Sequence, residues 1–571
     1  MRWSLLCALS ICLSVAQAAE PVGAPELTSI APLGGATGTS FEATIRGKNL
    51  DGAASLWSPA QGVTAEVISI ESGTGAKDPD VLHVRLRFAD GLSSGAHDLR
   101  VVTPGGLSNA LRLLAHAAPA ILEAGGSRDT PASAQRLESW PAVVHGLIAE
   151  IGEVDYYAFQ VEAGDELLFR SFSSPALDAG LAIYQKTGSW FDPERATRLA
   201  VNDEPVEYPG EPTEAVLRYR FAEAGEYLLR VNGFWGYGGV DQIYAVLIDK
   251  APAEDEPWPP PAPAPLWTER DWRRPLDADR MARLAARTVL TEAPADIQIL
   301  DADAEIYQLP AEPPTIEGPT LIRGAFEHPG DVDRVRFSAK EGDKLVFEIT
   351  TPEKSLPEIN PLLRVIDPDG NETLTNIWSR VNVNDNISKQ IYPKTAYAFP
   401  RDGEFTLEIR DITATYGDRA MRYGVLVRPW VPHLGEAHVG PDRLNLVAGK
   451  ADRVSVEIDQ EEGYDGLAVF SIEGLPEGVE AVTGAEADPA KPPPFNEGKK
   501  ERFVTESQKA TFALLASPDA PLTREPVTAR IYVRPAVQGA LGEKILAKEI
   551  LVMVVADSSA SPDPAARTDA R

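Results

Sequence analysis

Cysteine is almost missing from this chain. Its 571 residues include two, Cys7 and Cys12, both inside the first 18 residues. Beyond that stretch a disulfide framework, a thiolate zinc site, an iron–sulfur cluster and a cysteine nucleophile are all excluded. Basic charge is also short. Lys and Arg total 54 against 85 Asp and Glu, a net charge of −31, which argues against nucleic acid and anionic membrane surfaces as partners. The seven histidines are scattered. The closest pair, His433 and His438, has no His-Glu-x-x-His or comparable spacing around it, so both are expected at the surface and no metal site is expected. No Walker sequence and no glycine-rich strand-to-helix turn occurs, so no cofactor is expected. After residue 18 no apolar run reaches the length of a transmembrane helix.

The start of the chain has the parts of a secretory signal. Arg2 gives a basic start, Leu5–Val15 is an apolar run, and Ala16-Gln17-Ala18 is a small-x-small cleavage site. Residues 1–18 are therefore expected to be removed, leaving an acidic exported protein, periplasmic or extracellular. Without disulfides, its domains must stand on hydrophobic cores alone.

An internal repeat is the strongest signal. His145–Phe169 and Arg323–Phe347 align without a gap at an offset of 178, with nine identities in 25 columns: Gly, Gly, Val-Asp, Phe, Gly-Asp, Leu and Phe. Fixed-period self-similarity means duplicated structural units. Around the repeat the pattern is that of strands throughout. Val81–Phe88 alternates strictly and ends at Asp90-Gly91, and Leu99–Val102 ends at Pro104-Gly105-Gly106. Short alternating runs with frequent turn signals predict an all-β chain of tandem β-sandwiches. Pro252–Pro265 reads as a stiff proline-rich spacer. Leu276–Glu292, with Asp277 as its cap, reads as a short helix.

Three resemblances refine this plan. SIAPLGGATGTSFEATIRGKNL and GAHDLRVVTPGGLSNALRL (residues 29–50 and 95–113) resemble the IPT/TIG branch of immunoglobulin-like domains, which implies a fold and an accessory role. The two repeat units resemble the bacterial pre-peptidase C-terminal domain, a β-sandwich appended to secreted peptidases and other exported proteins. They share its Gly-Asp-x-Asp opening (intact at Gly330–Asp333, with Glu153 in the first copy), its middle Asn-Asp and its closing Gly-x-aromatic. Gly474–Val479 resembles a turn of exported immunoglobulin-like domains. The expected layout is residues 1–18 signal, 25–117 IPT/TIG-like sandwich, 119–250 first repeat unit, 251–313 linker and helix, 314–429 second repeat unit, 430–556 immunoglobulin-like sandwich and 557–571 disordered tail.

Few residues stand out as a site. Gly91-Leu92-Ser93-Ser94-Gly95 matches the serine-hydrolase Gly-x-Ser-x-Gly, but a strand follows where that motif needs a helix, so a turn is expected. Asp155, Asp333, Asn202-Asp203 and Asn384-Asp385 recur between the units. Calcium takes several such oxygens, yet no dense ligand loop surrounds them, and turn-forming hydrogen bonds to the backbone are the expected role. The most distinctive loop is Phe234-Trp235-Gly236-Tyr237-Gly238-Gly239. Phe234, Trp235 and Tyr237 among glycines offer a flat aromatic platform for a sugar ring or a peptide; the alternative is that they pack over the end of the sandwich. No segment offers a nucleophile with a base and an orienting partner, so catalytic residues are none. The expectation is a non-enzymatic exported binding, adhesion or scaffold protein whose partner is a protein or polysaccharide of the envelope or matrix. The alternatives are an accessory region of, or a divergent, secreted peptidase or hydrolase, and a purely structural envelope protein.

Overall fold

The structure is a computed structural model that describes residues 23–73, 78–186, 196–202, 215–233, 235–251, 298–301, 313–350, 360–381, 387–391, 394–412, 421–486 and 504–557. The expected signal (1–18), proline-rich spacer, helix at 276–292 and nearly all of the tail lie outside these residues. Every regular element among the described residues is a β-strand. The cause is visible in single strands: along Asp80–Phe88, Leu82, Val84, Leu86 and Phe88 are buried while Arg85 and Arg87 face water. Such period-two patterning gives each strand one core face.

The first sandwich pairs Glu26–Ala31, Ser40–Lys48, Asp80–Phe88 and Val63–Glu71 in one sheet. It packs against Gly34–Ala36, Leu111–His116, Gly95–Thr103 and Ser55–Trp57 in the other. Ile30, Ile45, Val84, Leu99 and Leu113 lie in the core between them. The last sandwich sets His433–Gly440, Ala451–Glu461, Val504–Ala516 and Val479–Glu486 against Arg443–Val447, Ile545–Val555, Val527–Val537 and Leu467–Glu473.

The two repeat units have one topology. In the first, one sheet runs Ala120–Leu122, Ala142–Leu147, Ile243–Lys250, Glu166–Ser173, Val216–Arg220; the other runs Gln135–Arg136, Val154–Val161, Gly225–Gly233, Ala179–Lys186, Ala196–Asn202. In the second, the matching sheets are Gln298–Asp301, Thr320–Ala325, Arg422–Pro429, Lys344–Thr350, Lys394–Ala398 and Thr315–Ile316, Asp333–Ala339, Gly403–Asp411, Pro361–Ile366, Glu372–Thr375. Even the parallel pairing of the first strand of each sheet is shared.

The repeated identities now have physical reasons. Asp155 and Asp333 are not the turn residues expected from sequence. Both are buried within strands, and each accepts a hydrogen bond across the sandwich from a tyrosine of the opposite sheet: Tyr244 to Asp155 at 2.6 Å and Tyr423 to Asp333 at 2.5 Å. Gly146 and Gly324 lie beside those tyrosines in register, and a Cβ at either would collide with the tyrosine hydroxyl. Phe159 with Phe169, and Phe337 with Phe347, pack at 5.6 and 5.9 Å between ring centroids. Gly164 and Gly342 turn with φ of 94° and 88°, in the left-handed region that glycine enters without a steric cost. The carboxylates of Asp165 and Asp343 accept the N–H of Glu162 and Lys340 across those turns. In the first unit the tie is extended: Tyr157 and Tyr244 hydroxyls lie 2.6 Å apart, and Arg128 pairs with Asp155 and Glu123.

Contacts between sandwiches do not follow chain order. Val143, Phe172, Ile243 and Ala245 of the first repeat unit join the core cluster of the first sandwich. The first sandwich also touches the last: Val102 and Leu107 pack with Met553 and Val555, Asn445 exchanges two hydrogen bonds with the Leu107 backbone, and Arg100 pairs with Asp442 at 2.6 Å.

Removing one inter-sheet tie tests its weight. Tyr244→Phe and Tyr423→Phe keep the ring and withdraw the donor from a buried carboxylate. Each should cost about 1–3 kcal/mol, read as a lower urea midpoint with an unchanged m-value. Gly324→Ala should destabilise the chain through the same tyrosine. Midpoints equal to wild type would show that the tie carries no stability.

Candidate functional site

Two loops that each cross from one sheet of the first repeat unit to the other carry a group of exposed apolar side chains. Ala142–Leu147 and Val154–Val161 hold the loop 148–153; Gly225–Gly233 and Ile243–Lys250 hold the loop 234–242. The loops are bonded to each other, Gly152 N–H to Gly236 O at 3.0 Å and Gly239 N–H to Ile148 O at 2.9 Å. Gly236 has φ of 67°, and a Cβ on Gly238 would run into the Glu150 backbone. Both glycines are therefore required by the path of the chain. On this braced pair of loops Trp235 is 64% exposed, Tyr237 63% and Ile151 85%, with Val240 beside them. Phe234 lies outside the described residues. Ile151 and Val240 were not legible as part of the surface, because only the pairing of the two loops brings them to the aromatic run.

Chemically the surface offers ring faces, aliphatic side chains and the exposed carboxylate of Glu150. The Glu153 carboxylate is engaged by the Glu150 N–H at 2.7 Å. Ser93, in an exposed turn as expected, has His97 within reach, but the ring nitrogen meets the Ser93 carbonyl at 2.8 Å and not the hydroxyl. Asn202 closes a strand, while Asp203, Asn384 and Asp385 lie outside the described residues. Asp367 builds the hairpin turn between Pro361–Ile366 and Glu372–Thr375, accepting the N–H of Asp369 and Asn371 at 2.9 and 2.8 Å.

A second cluster is a correction to the sequence reading. His433, expected at the surface, is buried where the second repeat unit meets the last sandwich. Ligand atoms of His433, Glu461 and Glu462 lie within 4.8 Å of one another, a spacing that could hold a metal ion. Two cationic side chains already stand against those oxygens. Lys394 Nζ lies 2.7 Å from both Glu461 and Glu462, and Arg428 donates to both oxygens of Glu462 at 2.9 and 2.6 Å and also to Glu348. Burial works against the Glu462 carboxylate, but Arg428 and Lys394 outweigh it and hold its pKa at about 2. Burial likewise opposes the charge on Arg428 and is overcome by Glu348 and Glu462, so its pKa is raised. The residues fit an ion-pair clamp between sandwiches better than a metal centre. Nothing local in the sequence marks it, since Glu348, Lys394, Arg428 and Glu462 come from four separate segments.

No family model and no curated protein matches the chain. Among solved structures it is similar to the pre-peptidase C-terminal domain of a collagenase from Bacillus anthracis, at 14% identity over 20% of this chain and 94% of that one, with a TM-score of 0.16. It is also similar to SGBP-B of a Bacteroides ovatus mixed-linkage glucan utilization locus, in complex with a mixed-linkage heptasaccharide, at 11% identity over 71% of this chain and 74% of that one, TM-score 0.15. The surface layer protein SbsC, domains 1–6, is similar at 11% identity over 93% and 54%, TM-score 0.14. None of these likenesses carries an argument about what this chain binds.

The clamp has a clear expected energetics. Arg428→Leu leaves Glu348 and Glu462 facing each other in a buried site and should cost about 3–5 kcal/mol. The Glu462 pKa is depressed in the fold, so its contribution is present above the ordinary glutamate range near 4.5 and is lost as pH falls through about 2. Chemical denaturation at pH 7 and pH 2.5 checks both points: the gap between wild type and Arg428→Leu should shrink in acid.

Proposed function

We propose that this chain is a non-catalytic, exported binding and scaffold protein that holds an envelope or matrix polymer, a polysaccharide or an extended protein, on the Trp235–Tyr237 surface. The observation that carries the reading is the exposure of two large aromatic side chains on loops that are hydrogen-bonded to each other. Aromatic faces give much contact area for little lost side-chain freedom. An apolar patch of this kind on a soluble protein marks an interaction site. Bracing of both loops means that little ordering entropy remains to be lost on binding, which favours affinity. The acidic chain, at −31, favours neutral or basic partners over anionic ones.

The rest of the chain then serves as a frame. On this reading the first and last sandwiches are accessory immunoglobulin-like modules, the first of the IPT/TIG kind. The two repeat units are pre-peptidase C-terminal-like modules, of which the first alone has the aromatic run. In the second unit the corresponding positions, Ile412-Thr413-Ala414-Thr415-Tyr416, keep a single aromatic residue. The absence of catalysis belongs to the same proposal: purified protein should hydrolyse neither a broad peptide panel nor a glycoside panel, and activity abolished by Ser93→Ala would overturn it.

The binding test is direct. Trp235→Ala and Tyr237→Ala should each weaken retention on immobilised cell-wall polysaccharide or matrix protein by tenfold or more, with the melting temperature unchanged because both side chains are mostly in water. Unaltered retention by the double variant would dismiss the surface. A large fall in melting temperature would show that the rings are packing instead.

A further inference from the structure

The junction between the first sandwich and the first repeat unit contains a pair of buried histidines. His116 ends the strand Leu111–His116, and His145 lies in Ala142–Leu147 of the neighbouring sandwich. Their Nε2 atoms are 3.3 Å apart. His116 Nδ1 lies 2.7 Å from the Ala118 carbonyl, which accepts, so this nitrogen bears the proton. In a neutral pair His116 Nε2 is then the acceptor, and His145 Nε2–H is the donor. That assignment leaves His145 Nδ1 as a bare lone pair, and no partner for it exists among the described residues.

Among the described residues no counter-charge faces the pair. Across the sheet His145 is flanked by Leu122 and Ala245, and along its strand on the same face by Val143 and Leu147. His116 is flanked by Ala36. The nearby Glu123 turns its carboxylate away, to the Leu147 N–H and to Arg128. Elsewhere on the same contact, Arg170 lies over Phe172 at 5.5 Å, and Asp241 accepts the Ser29 hydroxyl. Burial lowers the pKa of both rings, most for His145, which falls to about 3 with a smaller push from His116. Two imidazoles sealed among apolar side chains do not make a metal site either, since a dication there would have no anionic ligand.

We propose that this pair is an acid-operated release between the two sandwiches. A proton added at the unpartnered His145 Nδ1 leaves the N–H···N hydrogen bond in place, but it puts a full charge and a new N–H donor with no acceptor in an apolar seam. Separation of the sandwiches lets water reach that charge. A histidine in water titrates near 6.5, so the docked arrangement has its full advantage above that pH. Below it, the ratio of docked to separated forms falls by up to tenfold for each pH unit and each histidine freed, down to the docked pKa.

Pulsed electron resonance on the full chain tests this. Spin labels go at Thr64→Cys on the first sandwich and Gln160→Cys on the repeat unit, both exposed positions, with Cys7→Ser and Cys12→Ser to remove competing thiols. From pH 7.5 to 4.0 a longer distance should grow in, while far-ultraviolet circular dichroism stays that of folded strands. His145→Gln combined with His116→Gln, which leaves no titrating ring in the seam, should hold one distance throughout. His145→Phe combined with His116→Phe is the second non-titrating variant if the amides disturb folding. A wild-type distance that is constant over this range, or one that changes equally in both variants, would overturn the proposal. Zinc or copper that restores the short distance at pH 5 would also overturn it, as a metal site.

Discussion

A carboxylate–phenol hydrogen bond across the sandwich is the constraint around which each repeat unit is arranged. Extracellular sandwiches often tie their sheets with a disulfide, and outside the first 18 residues this chain has no cysteine with which to do so. Asp155–Tyr244 and Asp333–Tyr423 join the two sheets in that place. A buried carboxylate is costly without partners, and burial raises the pKa of Asp155 even though Tyr244 and Arg128 pull it down. The bond therefore adds directional specificity: only one register of the two sheets brings phenol and carboxylate together. The neighbouring glycine completes the set, because the tyrosine ring must lie over a strand position that has no side chain.

The same reasoning explains what was legible in the sequence. The strands could be read from alternation, and the repeat could be read from nine identities because each has a separate physical job. Two glycines turn in the left-handed region, one leaves room for a ring, aspartates cap a turn or tie the sheets, and phenylalanines fill the core. The role of Asp155 and Asp333 is not legible locally, because an aspartate beside glycine and acidic residues is more often a turn former, and its tyrosine lies 89 or 90 positions later. A signal for it did exist. Tyr244-Ala-Val-Leu and Tyr423-Gly-Val-Leu repeat the tyrosine at nearly the same offset as the aspartates. The Arg428 clamp had no such signal, since it occurs once and its members are spread over 115 positions, from 348 to 462.

The contacts between sandwiches differ in chemistry. The first sandwich meets the last through a small apolar cluster, an asparagine reading one backbone unit on both sides, and the Arg100–Asp442 ion pair. Burial works against the Asp442 carboxylate, but Arg100 holds it below its usual range. The second repeat unit meets the last sandwich through an ion network, which needs carboxylates in their charged form. The first repeat unit meets the first sandwich through apolar side chains and two neutral histidines, which need the opposite condition, absence of charge. Acid therefore acts on the latter two junctions in the same direction, but the histidine seam responds first. The seam responds from about 6.5 downward, the clamp from about 4.5 to about 2.

This matters for the aromatic surface because of where it is anchored. Ala142–Leu147 and Ile243–Lys250 are paired, with Gly146 opposite Tyr244 and His145 opposite Ala245. Since side chains alternate along a strand, neighbouring residues serve opposite faces. Gly146 and Tyr244 look inward to the tie, while His145 and Ala245 look outward to the first sandwich. The loops with Ile151 and Trp235 begin directly after Leu147 and end directly before Ile243. Asp241, at the end of the aromatic loop, is held by Ser29 of the first sandwich. The tie fixes the strands from within, and the junction fixes the loop from outside. Loss of the junction would thus leave the surface intact in its strands but free at its loop ends. A ligand that depends on a braced platform would be held less tightly once the sandwiches part, so binding and domain separation would be coupled through Asp241 and through Leu147 and Ile243 at the loop ends.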